Sequence, residues 1–186
     1  MFLFTNPYLL HKDPWPHLVI DNLLPEDVAT HMLNTFPDPG FTEKEQRYYQ
    51  WRGNYNNDPV HKEFAEVNTA MQTDIFEIVD EAFGDMSTDE YTLSEFTYRK
   101  QPPASQPSLI KDWHTDLPTK KYHAMIYLGE GEGGWLELLD QSRGITKRYS
   151  YTHNRMILWR NDTNSFHRFW SANTCRLTIG FAIQYK

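Results

Sequence analysis

The sequence predicts a mainly β protein with flanking helices, a jelly roll with its helices packed outside. Two observations carry this expectation. The second half breaks into short segments rich in β-branched and aromatic residues, each closed by turn residues. The first half instead carries two apolar stripes at helical spacing. Closely spaced short strands with tight turns are the signature of a sandwich or barrel. Aromatics make up 15% of the chain, enough to fill such a core with large side chains.

From the N-terminus, Pro25 followed by Glu26 and Asp27 predicts a helix start, with proline in the first turn and acids at the positive end of the dipole. Val28, Met32, Leu33 and Phe36 form its apolar stripe, and Pro37 stops it. Asp58-Pro59 opens a second helix, with a core face of Phe64, Val67, Met71, Ile75, Ile78 and Ala82 and a stop at Gly84. Between them, Tyr48 to Tyr55 is aromatic and polar without a clear period. It is either a lid that touches substrate or a loop packed on the sheet by its rings. The expected strands are Tyr91–Arg99, Tyr122–Leu128, Trp135–Leu139, Ile145–Tyr151, Arg155–Arg160, Phe166–Trp170 and Cys175–Tyr185. Turns are expected at Gly129 to Gly134, Ser142 to Gly144 and Asn161 to Asn164. The prolines at 102, 103 and 107 exclude a central strand there, because proline donates no ladder hydrogen bond.

A chain of 186 residues is expected to form one domain, with residues 1–90 as helical and irregular support and 91–186 as the jelly-roll core. The net charge of −7 disfavours a phosphate backbone as partner, so no nucleic acid is expected. A single cysteine forbids an intrachain disulfide and fits a reducing compartment. No apolar run is long enough to span a bilayer, and Met1 to Pro7 does not resemble a secretory signal. A cytoplasmic protein without a membrane partner is the expectation, its oligomeric state open.

His114-Thr115-Asp116 and the later His167 carry the chemistry. On extended backbone, residues two apart share a face, so His114 and Asp116 can reach one metal. Two imidazoles and a carboxylate form the facial triad of non-haem Fe(II) sites, which leaves positions open for small ligands. The absence of thiol ligands argues against structural zinc. Arg176, Thr178 and Gly180 share one face of the last strand, while Leu177, Ile179, Phe181 and Ile183 share the core face. A buried arginine needs an anion. Either an organic carboxylate or an internal acid supplies it. Of the other histidines, His123 and His153 either line a pocket or face water. His11, His17, His31 and His61 have no ligand-like partners in sequence. Trp113 and Trp135 shape a pocket or pack. Arg160 and Arg168 bind an anion or are solvated, and Cys175 is a small core residue.

With these residues in place, the chain resembles the Fe(II)/2-oxoglutarate-dependent dioxygenase superfamily, in its prolyl-hydroxylase-like branch. The likeness rests on His114-Thr115-Asp116, His167 and Arg176-Leu177-Thr178. Ala124 to Leu128, Gly133 to Leu138, Asn154 to Trp159 and Trp15 to Pro25 support it. The resemblance implies a double-stranded β-helix with Fe(II) on His114, Asp116 and His167. It implies that Arg176 binds the distal carboxylate of the co-substrate 2-oxoglutarate, with Tyr127 either a second donor or a barrel-lining core residue; Thr178, on the same strand face as Arg176, offers a further hydroxyl donor. It also implies O2 as oxidant, ascorbate among the cofactors, and hydroxylation of a C–H bond in a prolyl, peptidyl or small-molecule substrate, with succinate and CO2 as co-products. One departure bears on the substrate. A tyrosine common nine or ten residues before the first ligand is replaced by Ser105 and Ala104. The alternatives are a non-catalytic, cupin-like metal-binding jelly roll and a cupin-type metalloenzyme that does not use 2-oxoglutarate. Arg176 separates them, because the dioxygenase reading alone gives it an organic-acid partner.

Overall fold

A computed structural model describes residues 7–36, 49–52, 67, 71, 74–86, 89–94, 97–106, 108–129 and 131–186. Two antiparallel sheets face each other. In chain order the strands are β1 (Leu9–His11), β2 (His17–Ile20), β3 (Tyr49–Arg52), β4 (Tyr91–Leu93), β5 (Thr97–Gln101), β6 (Leu109–His114), β7 (Lys120–Leu128), β8 (Gly131–Asp140), β9 (Ile145–Tyr151), β10 (Arg155–Arg160), β11 (Phe166–Trp170) and β12 (Arg176–Tyr185). The larger sheet runs β1-β2-β10-β7-β12-β5-β3, with β4 also on β12, and the smaller runs β6-β11-β8-β9. This is the jelly roll that the sequence predicts.

Alternation along each strand divides the core in two. On β7, Tyr122, Ala124, Ile126 and Leu128 join the cluster on the outer face of the large sheet. Met125 and Tyr127 point the other way, into the space between the sheets, where they meet Leu136, Leu138 and Phe169 of the small sheet. On β12, Leu177, Ile179, Phe181 and Ile183 belong to the outer cluster, which leaves Arg176, Thr178 and Gly180 facing the interior.

The helices cover the outer cluster. Helix α1 (Glu26–Asn34) begins after Pro25 and carries Glu26 and Asp27 in its first turn. It buries Ala29 and Met32. The chain leaves the helix at Thr35, two residues before the predicted proline stop. Of the predicted second helix, the described residues 67, 71 and 74–83 are helical, and 58–66 lie outside them. Met71, Ile75 and Val79 are its buried row, so the core face is centred on Val79 rather than on the half-buried Ile78. Gly84 has φ +67, and its N–H reaches the Asp80 carbonyl at 2.7 Å, the left-handed helix stop that glycine permits.

Several expectations need correction. The predicted strand Tyr91–Arg99 is two strands, β4 and β5, both antiparallel to β12. The strand predicted from Trp135 starts at Gly131, through an irregularity in its pairing with β9. The last strand starts at Arg176, one residue after Cys175. Residues 49–52 are neither lid nor loop: they pair with β5 as an edge strand, and the rest of the 48–55 segment lies outside the described residues. Strands β1, β2 and β3 also place part of residues 1–90 in the large sheet. No described helix is long and apolar enough to cross a membrane.

Candidate metal centre

Strands β6 and β11 bring the first two candidates together. His114 and His167 are direct partners in the antiparallel register, so both imidazoles project from the same face. Their ring centroids are 4.2 Å apart. Each ring is oriented in the same way, its Nδ1 against a backbone carbonyl two residues earlier. The partners are Asp112 at 2.7 Å for His114 and Ser165 at 3.1 Å for His167. A carbonyl only accepts, so Nδ1 carries the proton and Nε2 keeps its lone pair. This is the orientation that metal-bound histidines need.

Asp116 follows the end of β6 and completes the group. Its Oδ2 lies 3.7 Å from His167 Nε2 and 2.5 Å from His123 Nδ1, and its Oδ1 lies 3.6 Å from Lys120 Nζ. Burial alone raises the pKa of Asp116. Its neighbours His123, which also hydrogen-bonds it, His167 and Lys120 outweigh burial and hold the carboxyl well below the usual range. Burial pushes His167 down to about 3 and also lowers His114 and His123, so the imidazoles are neutral and able to donate lone pairs.

His167 Nε2 tests whether a metal fits here. It is buried without a hydrogen-bond partner, and it faces a carboxylate oxygen across 3.7 Å. Two lone-pair donors this close repel unless a cation lies between them. First-row metal–ligand bonds of about 2.1 Å place neighbouring donors roughly 3 Å apart, so a bound metal would draw this pair slightly closer. The donor set therefore fits a divalent metal that favours nitrogen and oxygen, such as Fe(II). His114, Asp116 and His167 all line one cavity, with His114 paired to His167 across the strand register. The tightest group, however, is Asp116, His123 and His167, whose ligand atoms lie within 4.8 Å of one another.

His123, which the sequence left between a pocket and water, takes the pocket side beside Asp116 and His167. It sits on β7, opposite Ala182 on one side and Trp159 on the other. Strand β7 is buried on both faces, so alternation gives no sign of which side His123 takes. The other described histidines lie elsewhere, and His61 is outside the described residues. His153 accepts the Gly129 N–H at 2.8 Å, and His17 is held between the Trp15 carbonyl and the Tyr149 hydroxyl.

The metal group opens into a cavity of about 510 Å³ whose walls include Arg99, Lys111, Met125, Phe169 and Arg176. Arg176 is 5% exposed, and its Nη1 donates to the Tyr151 hydroxyl at 3.0 Å. Its Nε has no partner, and among the described residues no carboxylate pairs with it. Two further buried atoms lack partners: the Tyr127 hydroxyl and Thr178 Oγ1, on residues directly opposite each other in the β7–β12 register. Buried polar groups without partners are costly, and these three share the inner face of β7 and β12; Arg176 lines the cavity, while Tyr127 and Thr178 are not among its walls. Gly180 contributes space. A Cβ there would meet Arg99 Nη1 at 3.1 Å and Met125 Sδ at 3.3 Å, so glycine lets the Arg99 guanidinium lie across β12 beside the cavity.

The remaining candidates are outside the cavity. Trp135 stacks on Trp170 at 5.2 Å, and Arg168 covers Trp113 at 4.2 Å. These rings lie on the outer face of the small sheet, opposite to Leu136 and Leu138. There Glu137 accepts hydrogen bonds from Arg148, Arg168 and Trp170. Arg168 therefore serves that network, and Arg160 pairs with Asp85 at 3.5 Å. Cys175 is half-buried against the outer cluster, as expected of a small core residue.

No family profile and no curated protein matches the chain. Solved structures do. A prolyl hydroxylase from Trichoplax adhaerens, in complex with a hypoxia inducible factor peptide fragment, matches with a TM-score of 0.69 at 14% identity. The match covers 90% of this chain and 83% of that one. A dioxygenase for auxin oxidation from Arabidopsis thaliana, in a complex with 2-oxoglutarate, matches with a TM-score of 0.67 at 14% identity, over 91% and 83%. An oxidoreductase of the 2-oxoglutarate–Fe(II) oxygenase family from Burkholderia pseudomallei matches with a TM-score of 0.59 at 16% identity, over 90% and 85%. The chain has the fold of the 2-oxoglutarate–Fe(II) oxygenases. Within that double-stranded β-helix, the metal group and Arg176 line one cavity between the two sheets.

Proposed function

We propose that the protein is an Fe(II)- and 2-oxoglutarate-dependent dioxygenase that hydroxylates a C–H bond of a prolyl, peptidyl or small-molecule substrate. Residues 1–186 would act as one domain. One observation carries this reading: the partnerless His167 Nε2 and the partnerless Arg176 Nε both belong to residues lining the same cavity. The first calls for a cation and the second for an anion. A metal with a chelating organic acid satisfies both.

His114, Asp116 and His167 would hold the iron. When bound, iron with 2-oxoglutarate supplies the oxidising chemistry and releases succinate and CO2. The chain itself does the binding and orienting. Arg176 receives the distal carboxylate through a charge-assisted pair, fixed from behind by the Tyr151 hydroxyl. Tyr127 and Thr178 offer hydroxyl donors from the adjacent strands. Met125 and Phe169 form an apolar wall that limits water in the cavity. Arg176 also weighs against a cupin-type metalloenzyme or a purely metal-binding module, since neither gives this guanidinium a partner.

Succinate release tests the proposal. Purified protein is incubated with Fe(II), ascorbate and 2-oxoglutarate, and turnover without added substrate is measured as well. Metal-dependent succinate that disappears in His114→Ala supports the reading. No succinate from the wild type removes it. Comparing prolyl peptides with free amino acids as stimulants of turnover then divides the substrate classes.

A further inference from the structure

His123 and His167 face Asp116, His114 pairs with His167, and a facial triad requires only two imidazoles. His114 and His167 share one arrangement, with Nδ1 satisfied by a backbone carbonyl and Nε2 left to donate. His123 differs. Its Nδ1 faces Asp116 Oδ2 at 2.5 Å. A carboxylate only accepts, so this hydrogen bond is donated by His123 Nδ1–H.

We propose that His123 is a positioning residue. It donates Nδ1–H to Asp116 and fixes the carboxylate toward the metal, while His114 and His167 supply the two nitrogen ligands. The inference rests on the iron reading of the site. It goes further by dividing four candidate donors into three ligands and one support.

Asp116 follows the end of a strand, and an aspartate carboxylate turns easily about its last torsion. A donor fixed to a rigid element removes that freedom before any metal arrives. His123 suits the task because β7 is a central strand with neighbours on both sides. Its ring is 6% exposed and lies 4.9 Å from the Trp159 ring. Supports of this kind hold ligand orientation, and losing one typically costs about 10- to 100-fold in metal affinity. The division also preserves reactivity. A third imidazole on the metal would fill a position needed either by a chelating co-substrate or by O2.

The test compares wild type, His123→Asn and His123→Leu in the full chain. Asparagine places an amide N–H near the position of Nδ1 but offers no ring nitrogen. Leucine offers neither. Co(II) affinity is measured by chelator competition, and bound imidazoles are counted by pulsed EPR of the Cu(II) derivative. The proposal expects His123→Leu to lose about 10- to 100-fold in affinity, with His123→Asn close to wild type. It expects two imidazoles in all three proteins and one fewer in His114→Ala. It is overturned if the count falls by one in His123→Asn, if asparagine is as damaging as leucine, or if leucine leaves affinity unchanged. Should the leucine variant fail to fold, the imidazole count of His123→Asn decides alone. Absence of metal binding by the wild type would instead overturn the iron reading itself.

Discussion

Replacing Arg176 with glutamine separates the ligand-binding account from a structural one, because the two predict opposite signs. In the absence of co-substrate the guanidinium is 5% exposed, holds one hydroxyl at 3.0 Å, and leaves Nε without a partner. Such a buried cation is poorly compensated, so its removal leaves thermal stability of the apoprotein unchanged or raises it. In the bound state the same group meets a desolvated carboxylate. Truncating one partner of a buried charge pair costs about 2–5 kcal/mol, or on the order of 30- to 4,000-fold in affinity. The lower part of that range applies, since metal chelation, Tyr127 and Thr178 persist in the variant. Arg176→Gln is therefore expected to weaken 2-oxoglutarate by on the order of 10²-fold. Anaerobic calorimetry of the Mn(II)-loaded protein reads the affinity, and thermal melts without ligand read the stability. Unchanged affinity combined with a marked loss of apoprotein stability would refute the reasoning and make Arg176 a structural residue.

Other outcomes follow from the same geometry. Tyr127→Phe and Thr178→Val each remove a partnerless buried hydroxyl. Each should leave the apoprotein as stable or more so while weakening 2-oxoglutarate by about 0.5–1.5 kcal/mol, read from melts and calorimetry. Glu137→Leu leaves Arg148, Arg168 and Trp170 without their shared acceptor. It is expected to cost about 2–3 kcal/mol, and scanning calorimetry should show the melting temperature fall by roughly 5–10 °C. His17, pushed by burial down to about 4, binds its proton less readily folded than unfolded. Its contribution to stability is whole above pH of about 6.5 and falls away as pH drops toward about 4, by about 3 kcal/mol in all. Urea unfolding of His17→Asn across this window should show a shallower loss on the acid side than wild type.

The sequence was most legible where one face of a strand is wet or a spacing is local. Strands β9, β10 and β11 fall at the expected residues. In β9, exposed and half-buried positions alternate, and in β11 buried positions alternate with half-buried ones. The His-x-Asp pair is visible because extended backbone puts its members on one face. His167 was found because aromatic neighbours mark its strand. Strand β6 was missed: Leu109 to His114 has no clean alternation, and it lies at a sheet edge after a proline-rich loop. Strands β1 and β2 are only 3 and 4 residues long, too short for a period to register. For His123 the sequence left two readings open, pocket or water, for a different reason. Its strand is apolar on both faces, and its partner Asp116 belongs to another segment, so only the folded chain shows the contact. Trp113 and Trp135 show the converse, since large aromatics near a ligand pack equally well on the outer face of a sheet.

Anaerobic titration of the Fe(II)-loaded protein with 2-oxoglutarate tests the central claim most directly, followed by the visible charge-transfer absorption of the chelate. Saturation at one co-substrate per chain, abolished by Asp116→Ala and strongly right-shifted by Arg176→Gln, is the predicted result. Absence of the band, or 2-oxoglutarate binding that does not depend on the metal, would contradict it.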